Sequence, residues 1–167
     1  VMVTTENQPI TFAEILKKYE GKTIVIDVWA SWCSDCIKGM PKVKALQEKY
    51  PDATYLFISM DKTYEAWLKG IAKYDVKGEH YLTSDGMKGV FGKSISLDWI
   101  PRYMIVDKTG KIALYKVIEA DDEKLIKAIL WCKDKLEKEN IETWLVDRNM
   151  IVTEQGYKLA VTEQFSK

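Results

Sequence analysis

The chain has 167 residues, of which 47 % are hydrophobic and 30 % are charged, proportions typical of a globular domain with one core. Its 25 Lys and Arg residues balance 25 Asp and Glu residues, which excludes a strong overall attraction to nucleic acid or an acidic membrane. No apolar run approaches the roughly 20 residues of a membrane-spanning helix. The sequence begins with Val1 and shows no signal peptide. We therefore expect no membrane span within this chain and no nucleic-acid partner.

The first predicted elements lead directly to a pair of cysteines. Apolar residues at helical spacing predict a helix over residues 11–19. A β-branched run then predicts a buried strand over residues 23–30. A second helix is expected from residue 33 or 34 to about residue 50, and Pro41 inside it is expected to produce a kink.

Downstream, strands and helices alternate before a final hairpin and helix. The predicted strands cover residues 53–59, 80–82, 102–106 and 112–117. The predicted helices cover residues 64–74, a short segment among Gly86, Gly89 and Gly92, and residues 121–139. The first strand–helix–strand unit predicts a right-handed parallel crossover.

The end of the chain fits this alternation less well. We expect one domain over residues 1–140 and a C-terminal extension over residues 141–167. Short apolar runs at 151–152 and 157–161, on either side of Gly156, predict two short strands. The extension could form an edge hairpin, a swapped arm or a partly disordered end.

Cys33 and Cys36 form a CxxC pair at the predicted strand-to-helix junction. Free backbone N–H groups and the positive end of the helix dipole stabilise a thiolate there, and the thiolate is the species that attacks a disulfide. The pair therefore predicts redox chemistry. The alternative is a zinc site that adds the distant Cys132 and His80, but these two ligands lack the paired spacing of such sites.

Four local features resemble the thioredoxin fold. The segment from Asp27 to Cys33 is similar to that family's strand-end signature, the CxxC pair follows at once, and Pro41 matches its kinking proline. Residues 100–106, beginning Ile-Pro, resemble the family's cis-proline loop and following strand. The resemblance covers about residues 11–138.

The spacing between the motifs resembles one branch of this fold. Cys36 and Pro101 are 65 positions apart, and the extra segment at about residues 75–95 is similar to the TlpA/ResA-like thiol-disulfide oxidoreductases. The resemblance implies an α/β fold with a mixed central sheet flanked by helices, a βα-type insertion before the cis-proline loop and a C-terminal extension.

The resemblance also implies a function. We expect a thiol-disulfide oxidoreductase that acts on protein or peptide thiols and disulfides, receives electrons from an upstream dithiol donor and needs no metal or organic cofactor. The resemblance to this branch also implies that the protein is located in the bacterial cell envelope or periplasm. Cys33, nearest the helix start, is expected to attack, and Cys36 is expected to resolve the mixed disulfide.

Asp27 is predicted to be the acid–base group of the pair. It lies on the buried strand six residues before Cys33, where desolvation raises the pKa of a carboxyl and lets it take the proton of Cys36. The branch commonly carries Glu where this chain has Gly39, and Phe57 replaces the lysine that typically partners such an aspartate. A solvated aspartate at the end of the strand is the alternative.

Five further residues are predicted to contact the substrate: Trp32, Ser34, Asp35, Ile100 and Pro101. Pro101 is expected to be cis, with Ile100 offering its backbone to an extended peptide. The charge of Asp35 disfavours a thiolate at Cys33. We therefore expect a reductant, with a potential nearer roughly −270 mV than roughly −120 mV.

Other residues near the motifs are expected to have structural roles, or have two interpretations that the sequence does not separate. Trp29 is expected in the core, and Cys132 and His80 are expected to have no part in catalysis. Arg102 either favours acidic substrates or is a solvated neighbour of Pro101. Two rival functions remain: a peroxiredoxin-like peroxidase, although no Thr-x-x-Cys pocket is present, and a non-catalytic substrate-binding domain of a larger envelope protein.

Overall fold

The computed structural model describes residues 1–133 and the backbone of residues 150–153 and 156–159. The helices are α1 (Phe12–Lys18), α2 (Ser34–Lys49), α3 (Tyr64–Lys73), α4 (Val90–Ser94) and α5 (Glu123–Lys133). The strands are β1 (Met2–Val3), β2 (Pro9–Ile10), β3 (Ile24–Trp29), β4 (Thr54–Ser59), β5 (Glu79–Leu82), β6 (Arg102–Val106), β7 (Ile112–Val117), β8 (Met150–Thr153) and β9 (Gly156–Leu159).

Within the described residues, seven strands form one mixed sheet in the order β2-β1-β5-β4-β3-β6-β7. β3, β4 and β5 are parallel, whereas β6 pairs antiparallel with β3 and β7 pairs antiparallel with β6. All six residues of β3 are buried, because it lies inside the sheet and is covered on both faces. This arrangement confirms the predicted mixed α/β sheet.

The position of β5 and α4 explains the long separation between the cysteine pair and the proline loop. β5 extends the sheet in parallel beyond β4, and α4 follows it before the chain returns to β6. The predicted βα-type insertion is therefore confirmed. Its effect is to widen the sheet on the side away from β6 and β7.

Most predicted elements agree with the structure within one or two residues. β1 and β2 were not predicted, because two-residue strands show no periodicity. The predicted last helix appears as α5, and its continuation to residue 139 lies outside the described residues. In the described part of the chain, every helix is too short or too polar to cross a lipid bilayer.

The two strands predicted around Gly156 are present as β8 and β9, which pair antiparallel. Residues 134–149, 154–155 and 160–167 are outside the described residues, as is the end of the strand predicted over 157–161. The proposed boundary between residues 140 and 141 falls there too. The division into a domain and an extension therefore stays a prediction.

Candidate active site

Cys33 and Cys36 lie where β3 gives way to α2. Cys33 is the N-cap of α2, and its Sγ accepts a hydrogen bond from the backbone N–H of Cys36 at 3.1 Å. The two sulfurs form a disulfide, with Sγ atoms 2.27 Å and Cα atoms 5.3 Å apart. Cys33 is 7 % exposed and Cys36 is 1 % exposed, so Cys33 is the more accessible residue of the pair.

A buried carboxylate holds the loop that precedes the pair. Asp61 accepts hydrogen bonds from the backbone N–H of Ser31 at 3.0 Å and from its hydroxyl at 2.6 Å. The Ser59 hydroxyl donates a third bond to Asp61 at 2.6 Å. Sequence reasoning missed Asp61. The available signal was its position just after β4, because the ends of parallel neighbours β3 and β4 lie at the same sheet edge.

The chain packs tightly behind this loop. A Cβ added to Gly70 of α3 would lie 2.4 Å from the Cβ of Ser31, so only glycine allows α3 to approach this closely. Trp29 at the end of β3 is fully buried, which confirms that it belongs to the core. The cysteine loop is therefore fixed by hydrogen bonds on one side and by close packing on another.

The proline loop meets the cysteine pair at its exposed side. The Ile100–Pro101 peptide bond is cis, as predicted, and the Ile100 carbonyl oxygen lies 3.7 Å from the Cys33 Sγ. Pro101 is buried and Ile100 is 7 % exposed. A backbone carbonyl of this loop therefore lies beside the Cys33 sulfur.

Both interpretations of Arg102 are wrong, because its side chain is fully buried. Its guanidinium donates to the carbonyl oxygens of Ile95 at 2.9 Å and Ser96 at 3.2 Å. It also forms an ion pair with Asp98 at 3.0 Å. The segment before the proline loop turns its carbonyls inward, and Arg102 satisfies them. Arg102 therefore shapes the loop and is not accessible to a substrate.

Asp27 is buried on β3, so the solvated interpretation is wrong. Its carboxyl is 3 % exposed, and neither oxygen has a hydrogen-bond partner within residues 1–133. Desolvation raises the pKa of Asp27 from 3.8 to about 8. Phe57 of β4 lies opposite Asp27 on one side and Tyr103 of β6 lies opposite on the other.

The remaining predicted contact residues surround the pair at the surface. Trp32 is 61 % exposed, and Ser34 and Asp35 are also exposed. Sequence reasoning missed Trp99, which precedes the proline loop and is 52 % exposed. Trp99 shares with Asp35 and Pro101 a groove of about 410 Å³. An indole next to the Ile-Pro pair was the available signal.

The structure does not support the alternative zinc site, in which His80 and Cys132 would join the cysteine pair as ligands. His80 stacks on Phe57, with ring centroids 5.3 Å apart, and its Nε2 lies 2.8 Å from the Val76 carbonyl oxygen. Burial raises the pKa of the Cys132 thiol on α5 to about 12. Within residues 1–133, no group of three or more His, Cys, Asp or Glu side chains is arranged to hold a metal ion.

The Thioredoxin-like family model matches residues 21–112, which is more than half of the chain and includes the CxxC pair and the proline loop. The chain belongs to the thioredoxin-like family. Among curated proteins it is similar to the thiol-disulfide oxidoreductase ResA of Bacillus thuringiensis subsp. konkukian, with 28 % identity over 99 residues. That match covers 58 % of this chain and 56 % of ResA, so this thioredoxin-like chain spans a little over half the length of that relative.

Solved structures support the same placement. A Bacteroides vulgatus protein assigned as a thiol-disulfide oxidoreductase is 27 % identical, with a TM-score of 0.65, over 78 % of this chain and 89 % of that one. A Chlorobium tepidum protein assigned as the thiol:disulfide interchange protein DsbE is 25 % identical, with a TM-score of 0.62. That match covers 70 % of this chain and 84 % of the other. The thioredoxin-like fold is thus shared over most of this chain and most of the first of these structures.

Proposed function

We propose that this chain is a thiol-disulfide oxidoreductase that exchanges disulfides with protein or peptide substrates through Cys33 and Cys36. The observation that carries the proposal is the position of the Cys33–Cys36 disulfide, at the start of α2 and beside the Ile100 carbonyl. The names of the curated ResA relatives and of the solved structures support it.

The reduced dithiol would reduce a substrate in two exchange steps. The Cys33 thiolate attacks one sulfur of the substrate disulfide, which forms a mixed disulfide and releases the first substrate thiolate. The Cys36 thiolate then attacks the Cys33 sulfur, which forms the Cys33–Cys36 disulfide and releases the second substrate thiolate. Two electrons pass to the substrate, and an upstream dithiol donor restores the reduced pair.

The hydrogen bond at the helix start supports the role of Cys33 as the attacking group. The Cys36 N–H points to the Cys33 Sγ at 3.1 Å, and a backbone N–H at a helix N-terminus stabilises a thiolate in that position. Cys36 lies deeper in the fold, so it meets the mixed disulfide from the protein side.

Asp27 is proposed as the group that takes the proton of Cys36 before the second step. Its raised pKa of about 8 lies close to neutral pH, where a general base is most effective. The absence of any hydrogen-bond partner within residues 1–133 supports this assignment, because the carboxyl oxygens are not committed to a structural bond.

The surface beside the pair is proposed as the substrate contact. Trp32, Ser34 and Asp35 are accessible on one side of Cys33, and the backbone at Ile100 and Pro101 offers hydrogen-bonding groups to an extended peptide on the other. A place in the bacterial cell envelope is also part of the proposal, and it is supported by the resemblance to ResA and DsbE proteins.

Reduction of insulin tests the proposed activity. The wild-type protein with a dithiol donor is expected to reduce insulin, Cys33→Ser to lose that activity, and Cys132→Ser to retain it. Cys36→Ser is expected to accumulate mixed disulfides, which identifies substrates. Equal activity of Cys33→Ser and wild type would contradict the proposal. Substrate binding without turnover would instead favour the binding-domain alternative, and rapid consumption of peroxide with the same donor would favour the peroxidase.

Equilibration with redox buffers tests the proposed direction. The potential of the pair is expected nearer roughly −270 mV than roughly −120 mV, and Asp35→Asn is expected to make it less negative, because removal of the charge stabilises the Cys33 thiolate. A wild-type potential above roughly −180 mV would rule out a reductant.

A further inference from the structure

The turn that presents Cys33 is held by a side chain from a distant part of the sequence. Cys33 donates its backbone N–H to the Ala30 carbonyl oxygen at 3.1 Å, which closes a turn with Ser31 and Trp32 at its centre. Asp61 follows the neighbouring strand β4 and binds Ser31. The position of Cys33 therefore depends on a residue that only the fold brings close to it.

Asp61 accepts three hydrogen bonds, and two of them come from Ser31. The donors are the Ser31 backbone N–H at 3.0 Å and the Ser31 hydroxyl at 2.6 Å. Because one bond is made by the backbone and the other by the side chain, both the place and the orientation of Ser31 are fixed. The Ser59 hydroxyl donates the third bond at 2.6 Å and accepts from the Asp61 backbone N–H at 2.9 Å, so the carboxylate is itself anchored to the end of β4.

The carboxylate of Asp61 lies where water does not compete for it. Asp61 is 1 % exposed and Ser59 is fully buried. Hydrogen bonds to a charged acceptor are stronger than those between neutral groups, and salt screens them less when the acceptor is buried. A carboxylate at this position therefore holds the turn more firmly than a neutral or exposed acceptor would.

The other side of Ser31 is closed by α3. A Cβ added at Gly70 would lie 2.4 Å from the Ser31 Cβ, so the helix backbone packs directly against this residue. Behind the turn, the Met60 N–H still donates to the Trp29 carbonyl oxygen at 2.8 Å, which joins the ends of β3 and β4. The turn is thus restrained from two sides by contacts that do not involve the disulfide.

Cys36 is fixed separately from this turn. It lies in the first turn of α2 and is 1 % exposed, and its helix is anchored in the core by the buried residues Met40, Val43 and Leu46. The two sulfurs meet only when the turn and α2 keep their present relation. When the disulfide is closed, the covalent bond enforces that relation. When it is open, the restraints on Ser31 still favour it.

We propose that Asp61 is a positioning residue for the cysteine pair, and that it sets the effective concentration of Cys36 at the Cys33 sulfur. This inference rests on the proposed oxidoreductase function. In ring closure, the Cys36 thiolate attacks the Cys33 sulfur of a mixed disulfide, forms the Cys33–Cys36 bond and releases the substrate thiolate. A high effective concentration favours this step. Asp61 therefore makes the potential of the pair more negative.

Exchange with glutathione separates ring closure from the reactivity of Cys33. Glutathione disulfide first forms a mixed disulfide with Cys33 and releases one glutathione thiolate. Cys36 then closes the ring and releases the second. The ratio of ring to mixed disulfide at a known concentration of glutathione gives the effective concentration of Cys36. The same titration in a Cys36→Ser background measures the first step alone.

Asp61→Asn is expected to lower the effective concentration about tenfold, which makes the potential less negative by about 30 mV. An amide has one acceptor oxygen where the carboxylate has two, so at least one of the three donors loses its present bond. Ser31→Ala removes only the hydroxyl and keeps the Cβ that faces Gly70. It is expected to lower the effective concentration about threefold and to leave the first exchange step at Cys33 unchanged.

Comparison of the oxidised and reduced proteins gives a readout that needs no substrate. The disulfide stabilises the fold in proportion to the effective concentration in the native state, so the tenfold fall in Asp61→Asn is expected to cost the oxidised protein about 1.4 kcal/mol more than the reduced protein. Tyr55→Phe is the control, because the Tyr55 hydroxyl donates to the Leu46 and Tyr50 carbonyl oxygens at the other end of α2. It is expected to destabilise both redox forms equally.

An effective concentration that equals the wild-type value in both Asp61→Asn and Ser31→Ala would overturn the proposal. A change confined to the first exchange step would also overturn it, because the charge of Asp61 would then act on Cys33 directly. If Asp61→Asn does not fold, the milder Ser31→Ala decides. Wild-type protein that does not reduce insulin, together with the expected changes in glutathione exchange, would instead overturn the proposed function and leave the positioning role intact.

Discussion

Replacing Asp27 with asparagine is expected to change how the free energy of unfolding depends on pH. The carboxyl is fully buried, and desolvation raises its pKa from 3.8 to about 8 in the folded protein. In the unfolded chain the same group ionises near its ordinary value. The contribution of Asp27 to stability is therefore greatest below about pH 4 and falls as the pH rises toward 8, because the unfolded state releases the proton first.

The magnitude follows from the size of the pKa difference. One pKa unit corresponds to 1.36 kcal/mol, and the difference of about four units makes ionisation in the fold about 5 kcal/mol more costly than in the unfolded chain. Between pH 4 and pH 7 the wild type is expected to lose about 4 kcal/mol through this group alone. An asparagine side chain carries no ionisable proton, so Asp27→Asn lacks this loss.

Guanidinium unfolding of the oxidised proteins at several pH values measures the effect. The stability of Asp27→Asn relative to wild type is expected to increase steadily from pH 4 to pH 7, whatever the cost of burying the amide. Asp52→Asn serves as the control, because the Asp52 side chain is 81 % exposed. The stability of this variant relative to wild type is expected to show no such trend with pH. A difference between Asp27→Asn and wild type that stays constant with pH would refute the claim that the carboxyl is buried and unpaired.

Two further predictions concern the supports of the site. Arg102→Met removes the hydrogen bonds of the guanidinium to the carbonyls of Ile95 and Ser96, although the Tyr115 hydroxyl still donates to Ile95. It is expected to lower the free energy of unfolding by about 2 kcal/mol, measured by denaturant titration. Lys116→Met, which removes only the other cation bound to Asp98, is expected to cost less than about 1 kcal/mol. Gly70→Ala places a methyl 2.4 Å from the Ser31 Cβ and is expected to cost about 1–3 kcal/mol, despite the higher helix propensity of alanine. Equal thermal stability of Gly70→Ala and wild type would show that α3 can move away from the cysteine loop.

The elements that could be predicted from the sequence are those with a local signal. α2 and β3 have long periodic or β-branched patterns, and the hairpin of β6 and β7 has a turn at Asp107–Gly110 between two apolar runs. The CxxC pair and Pro101 were found because each lies at the end of such an element, and Asp27 was found because it is a carboxyl inside the apolar run of β3. β1 and β2 are held by pairing with β5 and with each other, which is a tertiary contact without a local pattern.

The errors and omissions share one physical cause. The sequence predicts an accessible position for Arg102 because an arginine beside a loop proline is usually solvated. Its burial is made favourable by the inward carbonyls of Ile95 and Ser96 and by the ion pair with Asp98. Asp61 was missed because its partners, Ser31 and Ser59, come from two different strand ends. In each case the side chain is satisfied by groups that the chain brings together only after folding.

The surroundings of Asp27 also depend on contacts that form only when the chain folds. The sequence identified the aspartate and the substitution of a lysine by Phe57, and these predicted a carboxyl with a pKa raised by desolvation. The pairing of Asp27 with Tyr103 depends on the register between β3 and β6, which a shift of one residue would reverse to the other face of the sheet. A motif can therefore identify the two sulfurs, whereas the surroundings of the buried Asp27 carboxyl are specified by strand register.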